Sequence, residues 1–175
     1  MSRITLVVVV SLIFTSCMSP KSTPTQVGKV DLAKYAGLWY EIGSFPASFQ
    51  KGCHCTTAEY LVTGKSWIRV INRCRRNAID GKESGIRGRA YPVEGSNNTK
   101  LKVQFFWPFR GDYHIIMLAE DYSWAVVTSG SKYLWILSRQ TEMDKSLLNS
   151  LISKLTSQGY DMSRLQMTVQ ECGKI

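Results

Sequence analysis

The sequence predicts an all-β fold: an eight-stranded antiparallel up-and-down β-barrel with one C-terminal α-helix packed outside and a short final strand. Three observations carry this reading. Eight stretches between residues 37 and 139 are rich in Val, Ile, Tyr, Phe and Trp, and short turn clusters separate them, as in hairpin-linked strands. Their spacing is near-regular, which favours sequential antiparallel neighbours. An open sheet of that length would leave two unpaired edges, and closure removes them.

The strands fall at 37–45, 53–63, 67–75, 84–93, 99–107, 112–119, 122–129 and 133–139. Alternation gives them two faces. In "KLKVQFFW" (100–107), Leu101, Val103, Phe105 and Trp107 share one face and Lys100, Lys102 and Gln104 the other. Phe106 breaks the alternation and is expected under a loop or helix. In "YLWILSR" (133–139), Tyr133, Trp135, Leu137 and Arg139 share a face, with Leu134 and Ile136 opposite. Both faces of that strand are apolar, so something must cover its outside. The cover is "TEMDKSLLNSLISKLTSQGY" (141–160), where Met143, Leu147, Leu148, Leu151, Ile152 and Leu155 form a helical stripe. Thr141 reads as its N-cap, Glu142 and Asp144 fill the first turn, and Gly159 ends it. "LQMTVQEC" (165–172) reads as the final strand.

Residues 1–16 read as a signal peptide. A short basic start precedes an apolar run, Ile4–Phe14, too short to span a bilayer, which needs about twenty residues. "FTSC" then resembles the lipobox of bacterial lipoproteins, with Phe14 where Leu is usual, and so implies lipidation at Cys17. Met18 rather than Asp follows, which by the same resemblance implies the outer membrane; which face of it stays open. Residues 17–30 form a lipidated N-terminus and a polar, proline-bearing tether, and one domain, 31–175, follows.

Composition narrows the function classes. Hydrophobic and charged shares of 44% and 20% are those of an ordinary globular protein. The net charge of +9 favours anionic partners. The densest basic run, "NRCRRN" (72–77), is interrupted by Cys74, which argues for a membrane rather than a nucleic acid. The only histidines are His54 and His114, and there is no Gly-x-Ser-x-Gly or phosphate loop, so an enzyme is not expected, nor a cofactor. Cys53, His54 and Cys55 are too crowded, with too few histidines, to be read as a zinc site. Past Cys17 the cysteines are Cys53, Cys55, Cys74 and Cys172. They allow three pairings, and an exported protein can oxidise them.

Three motifs then occur in order: "GLWYEI" with Gly37 and Trp39, "LAEDYSWAVV" with Asp121 and Tyr122, and "YLWILSR" ending in Arg139. They resemble the three motifs of the lipocalin family, and closely its bacterial outer-membrane and apolipoprotein D-like branches, with Glu120 where Thr is usual. The resemblance covers about 31–172. It implies a barrel holding one small ligand, sealed at one end by Arg139 lying over Trp39. It also places Tyr60, Asn72 and Trp135 against the ligand. Parity from Tyr60 and Asn72 adds Thr56, Ala58, Ile68 and Val70 to the inner face, and alternation adds Val103 and Phe105. Tyr113 is included without a fixed parity.

The same resemblance favours a Cys55–Cys172 disulfide and leaves Cys53 with Cys74. Strand parity sets those two on opposite faces, so either a bulge reconciles them or both are free. The implied function is that of a lipid-anchored protein holding a fatty acid such as palmitate, or a lysophospholipid, for transport or storage in the cell envelope. A barrel filled by its own side chains, serving as an interaction or structural lipoprotein, is the alternative, with a lipocalin-type isomerase behind it. Monomer or homodimer is left open.

Overall fold

A computed structural model describes residues 27–172, and among them are nine strands and two α-helices. The expected signal peptide, Cys17 and residues 18–26 lie outside the described residues. In chain order the elements are α1 (Leu32–Tyr35), β1 (Gly37–Ser44), β2 (Cys53–Val62), β3 (Ile68–Arg76), β4 (Glu83–Pro92), β5 (Lys100–Gln104), β6 (Gly111–Leu118), β7 (Trp124–Ser129), β8 (Tyr133–Ser138), α2 (Lys145–Ser157) and β9 (Gln166–Met167). Each strand from β1 to β8 pairs antiparallel with the next, and β8 returns to β1. The result is a closed eight-stranded barrel with β9 as an extra strand on β1.

Alternation sorts the side chains into two cores. Trp39, Tyr60, Val70, Leu101, Val127 and Leu137 belong to the cluster inside the barrel. Ile42, Phe45, Val126, Leu134 and Ile136 point outward and meet Leu151 and Leu155 of α2. The second apolar face of β8 is therefore covered by the helix, as its composition requires. Leu151 and Leu155 are fully buried, each contributing about 1.5–3 kcal/mol.

Several boundaries differ from the sequence reading. β5 stops at Gln104, because the chain turns away ahead of Pro108, which has no amide hydrogen to offer a ladder. Phe105 stays against the inner core. Phe106 does not pack under anything: it is 68% exposed, and Trp107, expected on the inner face, is 86% exposed. The cap of α2 is Asp144 rather than Thr141. Its carboxylate accepts the Leu147 amide at 2.9 Å, satisfying one of the helix's open donors. The final strand is only two residues long; beyond it the tail is held by two backbone hydrogen bonds, Thr168 N to Ile42 O and Cys55 N to Val169 O, by side chains and by a disulfide. The last residues of the expected tether are part of the fold. Val30 is fully buried, its amide donates to Asn97 O at 2.9 Å, and its carbonyl accepts from Asn98 Nδ2 at 3.0 Å.

Candidate ligand-binding site

The barrel's closed end is built by α1 and the two motifs that flank the chain. Asp31 caps α1, with Oδ1 accepting the Ala33 and Lys34 amides. α1 then lies across the end of the barrel and exposes its unpaired C-terminal carbonyls. Arg139 satisfies them: Nη2 donates to the carbonyls of Lys34, Tyr35 and Ala36, and Nη1 to that of Leu38. Its Nε donates to Tyr122 O at 3.3 Å. The guanidinium carbon lies 3.7 Å from the Trp39 ring centre. Gly37 has φ +96°, and a Cβ there would meet Arg139 Nη1 at 3.3 Å, so glycine serves both the left-handed backbone and the close approach. The second motif ties in as well. The Tyr122 hydroxyl accepts the Asp31 amide at 2.9 Å, and Asp121 accepts from the Ser123 amide and hydroxyl. Those bonds to Ser123 hold the Asp121 carboxyl below its ordinary pKa.

Above this plug three tyrosines meet. Tyr35 packs on Trp39, with ring centres 5.0 Å apart, and Tyr60 packs on Tyr35 at 5.3 Å. The Tyr113 hydroxyl is 2.7 Å from those of both Tyr35 and Tyr60. Burial pushes all three hydroxyls above the ordinary tyrosine pKa, so they are neutral at physiological pH. Tyr113, whose parity the sequence left open, is thus fixed on the inner face. Tyr35 was missed, because a one-turn helix leaves no periodic signal.

The wall continues upward from the tyrosines. Ala58 pairs with Asn72 and Tyr60 with Val70 across β2 and β3. Ala58, Val103, Phe105, Tyr113 and Trp135 pack on the inner cluster but are only partly buried. The side-chain oxygens of Thr56 and Asn72 are buried with no hydrogen-bond partner. The ligand candidates Tyr60, Val70, Asn72, Val103, Phe105, Tyr113 and Trp135 therefore line one interior.

At the other end the β1–β2 loop, the C-terminal tail and β8 are joined through Glu41. This carboxylate is only 5% exposed. It accepts Ser44 Oγ at 3.0 Å, Thr168 Oγ1 at 2.6 Å and Gln50 Nε2 at 2.7 Å. The Gln50 oxygen in turn accepts Trp135 Nε1 at 2.9 Å. Glu41 was also missed; a carboxylate two residues past an inward tryptophan was the available signal. The up-and-down order puts the β5–β6 loop, with exposed Phe106, Trp107 and Phe109, at this same end.

Two disulfides frame this end of the barrel, Cys53–Cys74 and Cys55–Cys172. The parity conflict over the first is resolved by a bulge. The β2–β3 register shifts between His54 and Thr57, and Cys55 takes φ +50°. One extra residue on β2 turns Cys53 to the face of Cys74. Among the described residues no cluster of His, Cys, Asp and Glu is arranged to hold a metal.

Residues 30–170 match the family model of the lipocalin-like domain. The chain is a lipocalin. This lipocalin is 33% identical over 171 residues to the outer membrane lipoprotein Blc of Vibrio cholerae, covering 97% of this chain and 99% of the relative. It is 35% identical over 164 residues to apolipoprotein D of Macaca fascicularis, covering 89% and 82% respectively. Lobster apocrustacyanin A1 superposes on it with a TM-score of 0.64 at 20% identity, over 87% of this chain and 94% of that one; that likeness speaks to the fold.

Proposed function

We propose that this lipocalin is an envelope lipoprotein, anchored in the outer membrane through a lipid on Cys17, that holds one single-chain lipid in its barrel. The lipid is a fatty acid or a lysophospholipid, held for transport or storage. One observation carries the reading: a closed barrel, plugged at one end by Arg139 and Trp39, has inner-face apolar side chains that are only partly buried. Partly buried Ala58, Val103, Phe105 and Trp135 inside a barrel leave apolar surface for a ligand to cover. The relative's name, outer membrane lipoprotein, supports the location.

The expected affinity follows from size. At about 0.8 kcal/mol per buried methylene, a chain of roughly sixteen carbons gains about 12 kcal/mol gross. Losing about 4 kcal/mol or more of freedom on binding leaves on the order of 6–8 kcal/mol, which is micromolar. Delipidated protein titrated with a fluorescent fatty-acid analogue tests this. Saturable micromolar uptake, abolished by Trp135→Glu or Asn72→Arg, is the expected result. No uptake at all would leave the barrel filled by its own side chains and end the carrier reading.

A further inference from the structure

The three tyrosine hydroxyls on the barrel floor carry three protons and make two hydrogen bonds. Tyr60 donates to Tyr113, and Tyr113 and Tyr35 share one bond whose proton belongs to either. If Tyr113 donates to Tyr35, the Tyr35 proton is unspent; if Tyr35 donates, the Tyr113 proton is. No other acceptor among the described residues takes it. The neighbouring inner position presents the opposite deficiency. Asn72 stands across from Ala58, the next inward residue of β2 after Tyr60, and its side-chain oxygen is buried without a donor. Thr56, one further step along that face, has a buried hydroxyl with no partner. Unpaired polar groups of this kind are costly in a low-dielectric interior. A fatty acid entering tail first would bring only a methyl group to them.

The group that fits must accept one hydrogen bond and donate another, as a hydroxyl does. A carboxylate can only accept, and it would need a counter-charge. Arg139, the cation on the Tyr35 carbonyl, lies against Trp39 and spends its donors on five backbone carbonyls. An ether or ester can accept but leaves the Asn72 oxygen bare. We propose that the barrel floor formed by Tyr35, Tyr60, Tyr113 and Asn72 is a binding site for the hydroxyl of a lipid alcohol, which enters the barrel hydroxyl first. Its oxygen takes the spare tyrosine proton and its own proton goes to Asn72. This rests on the carrier reading and adds to it a second ligand class bound in the reverse direction.

The test compares 1-hexadecanol, hexadecyl methyl ether and palmitate on the delipidated full chain, by displacement of a fluorescent fatty-acid probe. The alcohol and the ether share a chain and differ in the donor. The alcohol is expected to bind about tenfold more tightly than the ether, since a site built to pair a hydroxyl rejects an analogue lacking its proton. Tyr113→Phe and, separately, Asn72→Leu should bring the alcohol-to-ether affinity ratio from about ten to about one, with palmitate measured alongside as the ligand that carries no hydroxyl to the floor. Asn72→Leu keeps the test alive if loss of the central hydroxyl disturbs folding. Equal affinity of alcohol and ether for the unaltered protein overturns the proposal, with water left as the floor's partner. So does a tenfold preference for the alcohol that survives in both variants, alcohol and ether weakening together, which would mark a packing defect. If the fluorescent probe itself fails to bind, the carrier reading falls first, so the two failures are distinct.

Discussion

The Arg139 guanidinium covers the face of Trp39 at 3.7 Å, although a hundred residues of chain separate them. Barrel closure brings them together, because β8 pairs with β1 through Tyr40 and Ser138, the neighbours of both. The arginine contributes a cation–π contact of about 0.5–2 kcal/mol and caps four carbonyls at the end of α1 and the start of β1. Burial lowers its pKa somewhat from the ordinary value, with Tyr35 opposing, yet arginine keeps its charge. Arg139→Ala should therefore cost about 3 kcal/mol, lowering Tm by roughly 10 °C. Arg139→Lys should recover less than half, because a single ammonium cannot reach the same fan of carbonyls. Thermal unfolding checks both; a lysine variant as stable as the parent would show that charge alone matters here.

The tyrosine triad predicts a stability loss at alkaline pH. In the unfolded chain each of these hydroxyls ionises near the ordinary value of 10.0, whereas burial raises all three in the folded protein. Above about pH 10 the unfolded state has released protons that the folded state retains. Stability is then whole below pH 10 and falls as pH rises, by up to about 1.4 kcal/mol per pH unit for each group. Denaturant unfolding at pH 8, 10 and 11 measures the slope. The double variant Tyr60→Phe, Tyr113→Phe should show a shallower decline above pH 10, whatever its stability at pH 8. Parallel curves would mean that the alkaline loss arises elsewhere.

The tail is held to the barrel by a bond that closes a long loop. Cys55 and Cys172 are 117 residues apart, a separation at which cross-linking removes about 4–5 kcal/mol of unfolded-state entropy in the chain-entropy account. Local bonds add to it: the Cys55 amide donates to Val169 O at 2.8 Å, and Gln170 Nε2 donates to the carbonyls of Glu41 and Thr56. Cys172→Ser should cost about 2–5 kcal/mol. It should also open residues 166–172 to limited proteolysis while the strand signal in circular dichroism persists. A tail that stays protected would mean that the hydrogen bonds suffice without the disulfide.

Most of the barrel was legible because its signals are local. Alternation in 133–139 told which residues face in and which face the helix, and the helical stripe told what covers them. Sequence was weaker where geometry is set by a partner far along the chain. Trp107 continues the alternation of β5 on paper and Phe106 breaks it, but the strand ends when the chain turns ahead of Pro108 and both rings are exposed. Thr141 looked like a cap, and Asp144 wins because its carboxylate reaches the Leu147 amide. The Cys53–Cys74 pairing depended on a bulge that no residue pattern announces. The candidate wall could be assembled by parity from two positions, Tyr60 and Asn72. The convergence of Tyr35 and Tyr113 on Tyr60 could not, since it needs α1 folded across the barrel end.

Glu41 predicts how the open end is kept in order. Its buried carboxylate binds the β1–β2 loop through Gln50, the end of β1 through Ser44 and the tail through Thr168, and Gln50 passes the link to Trp135. Every donor to it is neutral, so the bonds act by fixing position. Glu41→Leu removes three acceptor contacts and leaves those donors bare; it should cost about 2–4 kcal/mol. The loss should be local. Amide hydrogen exchange should accelerate at residues 44–52 and 166–170, and indole emission should shift as Trp135 loses its Gln50 partner. Protection around Trp39, at the plugged end, should stay as it was, because Arg139 and α1 hold that end independently. Exchange that rises evenly along all eight strands would instead make Glu41 a support of the whole barrel, and its bonds to loop and tail incidental.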